Sequence, residues 1–141
     1  MEIQRIVSSA VSEAPSGLWS NCLKVGDLVF LSGLTARGEG NRVIGDDEYV
    51  QARAIFERIE HLLAAAGGNP ADIVKLNLYL TRIEQREQVW TARREFFERT
   101  APERCFPTAT LVEVSALQPD VLVEIEAVAC LNAGGRPKEQ V

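Results

Sequence analysis

Residues 121–131, V-L-V-E-I-E-A-V-A-C-L, narrow the possible folds more than any other stretch. Side chains alternate along a strand, so Val121, Val123, Ile125, Ala127 and Ala129 share one face and Glu124 and Glu126 the other. A strand of this kind belongs in a sheet with one face closed over a core and the opposite face mixed in character. A lone ionised carboxylate is costly to bury, so at least one of the pair is expected to be hydrogen-bonded, to border a water-filled cleft, or to titrate abnormally. The competing reading places both glutamates in surface or interface ion pairs.

The helical signals are equally directional. Asp46 and Asp47 announce a helix start, after which Ala52, Ile55, Phe56, Ile59, Leu62, Leu63 and Ala66 recur at three and four residues until Gly67-Gly68. On that helix His61 projects with Ala54, Arg58 and Ala65 toward solvent. A second helix is expected over 85–99, with Val89, Ala92, Phe96 and Phe97 inward and Pro102 beyond its end. Strands are expected at 3–8, 18–25, 28–32 and 73–81, the third apolar on both faces and therefore central. In the fourth, Val74, Leu76, Leu78 and Leu80 oppose Lys75, Asn77 and Tyr79. Residues 107–116 and 121–131 read as a β-hairpin turning at Gln118-Pro119-Asp120. The order β-β-β-α-β-α-β-β defines an α+β fold, a mixed sheet with both helices on one face. A single domain over 1–131 with a flexible tail, 132–141, is the expected organisation, and the uncovered sheet face invites another subunit, with clefts at its rim.

Composition excludes several function classes. The chain has 141 residues and a formal charge of −5, which argues against a nucleic-acid binder, since phosphate neutralisation needs a basic surface. Arg93, Arg94, Arg99 and Arg104 are interleaved with Glu95, Glu98 and Glu103, the pattern of a solvated face. No run is long and apolar enough for a bilayer and the N-terminus lacks a signal-type core, so a cytoplasmic protein is expected. Cys22, Cys105 and Cys130 are widely spaced without a histidine cluster, which favours reduced, buried thiols over a metal site. With His61 the only histidine, triad-type catalysis lacks a base. The glycines of 35–41 match no phosphate-binding pattern. Arg37, in that loop, offers a cation to any cleft beside Gly33, or is a surface arginine.

Five motifs, in order and at characteristic spacing, carry a resemblance: G-L-W-S-N-C-L-K-V-G-D-L-V-F-L-S-G at 17–33, the amphipathic helix, D-I-V-K-L-N-L-Y-L-T at 72–81, the helix ending Glu95-Phe96-Phe97, and F-P-T-A-T-L-V-E-V-S-A-L with V-E-I-E-A-V-A. Together they resemble the RidA/YjgF family over residues 17–131. The resemblance implies a chorismate-mutase-like subunit, a homotrimer with ligand clefts between subunits, no cofactor, and water-dependent deamination of imines or enamines. It places Glu124 where the family positions the attacking water, and Ser32 and Gly33 where a backbone amide meets the ligand. Elsewhere the chain departs. The family's substrate-clamping arginine falls at Ala109, beside Thr110, and a cysteine position falls at Leu111. A tyrosine and an asparagine of the family fall at Trp19 and Trp90.

Losing one partner of a buried guanidinium–carboxylate pair costs about 2–5 kcal/mol, which is roughly 30-fold to several thousand-fold in affinity for a 2-imino acid. The resemblance with these departures implies a small-molecule deaminase or hydrolase with a non-standard, more apolar substrate, in contact with Trp19 or Trp90. For Trp90 the alternative is packing at a subunit contact. The alternative for the whole is a non-catalytic metabolite-binding module on the same scaffold.

Overall fold

A computed structural model describes residues 2–102 and 106–135. Cys105, the Glu103-Arg104 part of the charged face and residues 136–141 of the expected tail lie outside them. The strands are β1 (Ile3–Arg5), β2 (Cys22–Val25), β3 (Leu28–Leu34), β4 (Ile73–Leu80), β5 (Thr108–Glu113) and β6 (Val123–Cys130), and the helices are α1 (Glu48–Ala65) and α2 (Arg86–Thr100). They form one six-stranded sheet in the order β1-β2-β3-β6-β4-β5. Every neighbouring pair is antiparallel except β4 and β5, which run parallel.

The hairpin expected from residues 107–131 is therefore corrected. β6 is paired on one edge with β3 and on the other with β4, so no edge is left for β5. β5 instead pairs with β4 through the α2 crossover, the kind of connection that parallel strands need. Several strands are also shorter than expected, among them β1, β2 and β5. Pairing of β1 fades beyond Ile6, whose N–H reaches Cys22 O at 2.9 Å, and residues 18–21 belong to a strap crossing the sheet's rim.

Both helices bury their apolar stripes on the same sheet face. Ala52, Ile55, Phe56, Ile59, Leu62, Leu63 and Ala66 of the first helix and its cap are buried, as are Val89, Ala92, Phe96 and Phe97 of α2. Phe56 stacks on Phe96 with ring centroids 4.8 Å apart, locking the two helices together. Asp47 caps α1 by accepting from Val50 N–H at 2.8 Å. At the other end Gly67, at φ 92°, lets Gly68 N–H return to Leu63 O at 2.8 Å, a Schellman stop. The sheet supplies Ile73, Leu76, Leu78 and Leu80 from β4 and Val123, Ile125, Ala127 and Ala129 from β6. Val74 faces outward instead of inward, because the β4–β6 register shifts between Ile73 and Lys75.

The opposite sheet face is open in the protomer. Leu28 and Phe30 are each 42% exposed, so β3 is central in the sheet yet covered on one side only. Beside them lie Val128 and Lys75, then Asn77 and Glu126, then Tyr79 and Glu124. Cys22 is buried, which pushes its thiol up to about 11, and Cys130 is half-buried; both are free thiols. Residues 133–135 form a 3-10 turn in which Gly134 N–H donates to buried Asp72 at 2.7 Å. No described helix is long and apolar enough to cross a membrane.

Gln51 is fully buried and connects distant segments. Its amide donates to Gly45 O at 3.1 Å and Asp120 O at 3.0 Å and accepts from Leu122 N–H at 2.9 Å. Gln51→Leu leaves buried backbone groups without partners and is expected to cost about 1–3 kcal/mol. Urea unfolding of the two proteins at equal m value checks this.

Candidate functional site

The site begins at a fault in the β3–β6 ladder. Leu31 pairs with Ala127 and Leu34 with Ile125, so Ser32 and Gly33 bulge opposite Glu126. Ser32 is tied to the 9–21 strap, its N–H donating to Asn21 O at 2.9 Å and its hydroxyl to Ser20 O at 2.6 Å. Gly33 is needed for space. A Cβ there would lie 2.5 Å from Glu124 Oε2, so only a glycine lets that carboxylate rest against the strand.

The two carboxylates have different surroundings. Glu126 Oε1 accepts from Asn77 Nδ2 at 2.7 Å and from Tyr79 Oη at 2.9 Å, which fixes it on the open face by hydrogen bonds rather than an ion pair. That bond also raises the Tyr79 phenol above its ordinary range, with burial adding to it. Glu124 borders a cleft of about 540 Å³. Burial, and secondarily the negative charge of Glu126, hold the Glu124 carboxyl above the usual carboxylate range.

The cleft is walled by the strap, the bulge and the loop after β3. Trp19 stands on the strap, 47% exposed, with its indole N–H donating to Asn21 Oδ1 at 3.3 Å; Asn21 in turn donates to Ser12 O at 2.8 Å. Arg37 lines the cleft but is committed to its own loop. Its guanidinium donates to Asn41 O at 2.8 Å and to the carbonyl of Pro119, while its Nε–H is buried with no acceptor among the described residues.

Arg58 corrects a sequence expectation. It is half-buried rather than solvated, and it enters the cleft wall from α1 beneath residues 35–38. The periodicity places it correctly off the apolar stripe. The loop that folds over it carries no local signal. Gln118 also joins this wall and was likewise missed.

Trp19, Ser32, Gly33, Arg37 and Glu124 are thus brought together. The remaining candidates sit across the sheet. Trp90 is on α2, with Arg86 stacked over its ring at 5.8 Å. Ala109 and Leu111 pair with Leu76 and Leu78, so they share the helix-facing side of the edge strand; Leu111 packs on the core and Ala109 is exposed. Thr110 pairs with Asn77 and faces the open side.

The molecule is thus a small α+β domain whose half-buried carboxylate lies over a backbone bulge and borders a cleft. The comparisons give the family. Residues 10–131 match the model of the family described as endoribonuclease L-PSP, and the chain belongs to it, the RidA/YjgF family of the sequence motifs. A RutC family protein of Pyrococcus abyssi is 29% identical over 127 residues, covering 89% of this chain and 96% of that one. A protein of Dermatophagoides farinae named 2-iminobutanoate/2-iminopropanoate deaminase is 26% identical, covering 94% of this chain and all of that one. A crystal structure of a Pseudomonas aeruginosa protein of unknown function superposes with a TM-score of 0.80 at 38% identity, covering 93% of this chain and 94% of that chain.

The raised Glu124 titration has a definite sign. An acid that holds its proton more tightly when folded contributes stability that is full below its unfolded range and is lost as pH rises through the folded value. Glu124→Gln removes that loss. Its stability relative to the parent protein is expected to improve from pH 4 to pH 7, measured by urea unfolding at both.

Proposed function

We propose that this protein hydrolyses an imine or enamine to a carbonyl compound and ammonia, in a cleft completed by a neighbouring subunit of a homotrimer. The observation that carries this reading is Glu124, half-buried against Gly33 on the cleft wall, with a carboxyl that burial and the charge of Glu126 hold above its ordinary pKa. Ionised Glu124 takes a proton from a water as the water oxygen bonds to the C=N carbon and the C=N π pair moves to nitrogen, an enamine first taking a proton at its β-carbon to give the imine. The carboxyl returns its proton to nitrogen, giving a carbinolamine; the carboxylate then takes the hydroxyl proton and passes it to nitrogen as the C–N bond breaks, so that the carbonyl forms and ammonia leaves. Backbone at Ser32 and Gly33 and the Trp19 indole orient the substrate.

The half-exposed Leu28 and Phe30 support subunit association over the open face, and the position of Ala109 and Thr110 on edge strand β5, with Trp90 on α2, suits them to face a neighbour's cleft. In that arrangement Ala109 offers no cation beside the reacting carbon, so the substrate carries an apolar group there rather than the carboxylate of a 2-imino acid. Free Cys22 and Cys130 suit the reducing cytoplasm.

Ammonia release from freshly generated imines tests the reading. Glu124→Gln is expected to lower the rate by about 10²–10⁴-fold. Equal rates remove the proposed role, and thermal stabilisation by ligands without any turnover shows a non-catalytic binding module. Ala109→Arg is expected to raise activity toward 2-imino acids in the same assay.

A further inference from the structure

Between buried Val11 and buried Cys22 the strap has no apolar anchor, since Ser12, Glu13 and residues 15–19 are exposed and Ala14 is only partly buried. Hydrogen bonds must hold it over the cleft. Among the described residues, the groups beyond 12–19 that bond to this segment are the Arg5 guanidinium, through its ion pair with Glu13, and the side chain of Asn21. The ion pair joins two exposed side chains, and such pairs fix little. That leaves Asn21.

The carboxamide of Asn21 works in both directions. Its Oδ1 accepts from the Trp19 indole N–H at 3.3 Å, and its Nδ2 donates to Ser12 O at 2.8 Å. An indole can only donate and a carbonyl can only accept, so the partners themselves set which way the amide points. Its backbone carbonyl takes the Ser32 N–H at 2.9 Å, and Cys22, the next residue, is buried in β2 opposite Leu31. One residue seated on the sheet thus ties the strap, the Trp19 wall and the bulge, all of which line the cleft that Glu124 borders. The indole N–H, given to Asn21, is withheld from a ligand, so Trp19 offers ring surface rather than a donor.

We propose that Asn21 is a positioning residue of the cleft, acting through Trp19 to fix where that ring stands and so where an aryl or other apolar group of the ligand lies. This rests on the reading of Trp19 as a wall that orients the ligand. A carboxamide gains or loses no proton near neutrality, so the contribution of Asn21 is geometric. Its side-chain bond to Ser12 holds the strap in place, and its bond to the indole sets the ring upon it.

Acetophenone, a neutral ketone carrying an aryl group, is the probe, with affinity read by titration calorimetry and the Trp19 indole Hε1 resonance by NMR. Trp19→Phe identifies that resonance by its loss. In the unaltered protein acetophenone is expected to bind and to shift it. Asn21→Ala is expected to move the resonance in the free protein, to speed its exchange with water, and to weaken acetophenone about three- to tenfold, the scale of one neutral hydrogen bond. Asn21→Asp keeps an acceptor for the indole while losing the donor to Ser12, so it should hold the resonance nearer its original place and restore part of the affinity. In a Trp19→Phe background Asn21→Ala should have no further effect on binding, because a phenyl ring has no N–H to give. An unmoved resonance or unchanged affinity in Asn21→Ala, an equal loss in both backgrounds, or no binding of acetophenone each overturns the proposal. Should Asn21→Ala fail to fold, the unaltered protein decides: slow exchange of Trp19 Hε1 upholds the bond to Asn21, and exchange at the rate of a free indole overturns it. Binding needs no turnover, so a coupling between Asn21 and Trp19 that survives a failed deamination assay separates this inference from the proposed reaction.

Discussion

The middle position of β6 is the constraint from which the rest of the molecule follows. With β3 bonded to one edge and β4 to the other, β6 can neither slip nor turn over, and its alternation fixes what each sheet face must be. Val123, Ile125, Ala127 and Ala129 commit one face to the two helices. Glu124 and Glu126 commit the other to polar chemistry. A one-residue slip would turn two carboxylates into the core beneath the helices, so register and site are specified by the same pattern.

How much of this was legible depended on whether the signal was local. The α1 stripe, the Asp47 cap and the glycine stop were readable because each acts within one or two turns. The parallel β4–β5 pair was not. Residues 107–131 carry good turn chemistry at Gln118-Pro119-Asp120, but that segment is held by Gln51 and the Arg37 guanidinium rather than by a hairpin ladder. The edge β5 would have needed belonged to β4. Competition for a strand edge is a property of the whole sheet, and no window of sequence contains it.

The site divides the same way. Glu124, Ser32, Gly33 and Trp19 were identified by family motifs and do converge, while Arg37 was named from its loop position and proves to be occupied in holding that loop. Arg58 was assigned to solvent on sound helical geometry. Residues 35–38 override that geometry by laying three carbonyls over its guanidinium, and Gly38 is what permits the approach. Trp90 on α2 and Ala109 and Thr110 on β5 do not line the cleft beside Glu124, and Leu111 is spent on the core.

Two carboxylates on one strand face, one residue apart in the alternation, come to serve different ends because their neighbours differ. Asn77 and Tyr79 aim donors at Glu126, which fixes its geometry. Glu124 lies over a glycine that offers no side chain, is partly withdrawn from water, and feels the charge of Glu126 beside it. Each of those influences favours its protonated form. The negative charge of Glu126 thus adds to burial in favouring the protonated form of Glu124. Two like acids on one strand face are thereby given different surroundings, Glu126 bound by two donors and Glu124 left beside the cleft at the Gly33 bulge.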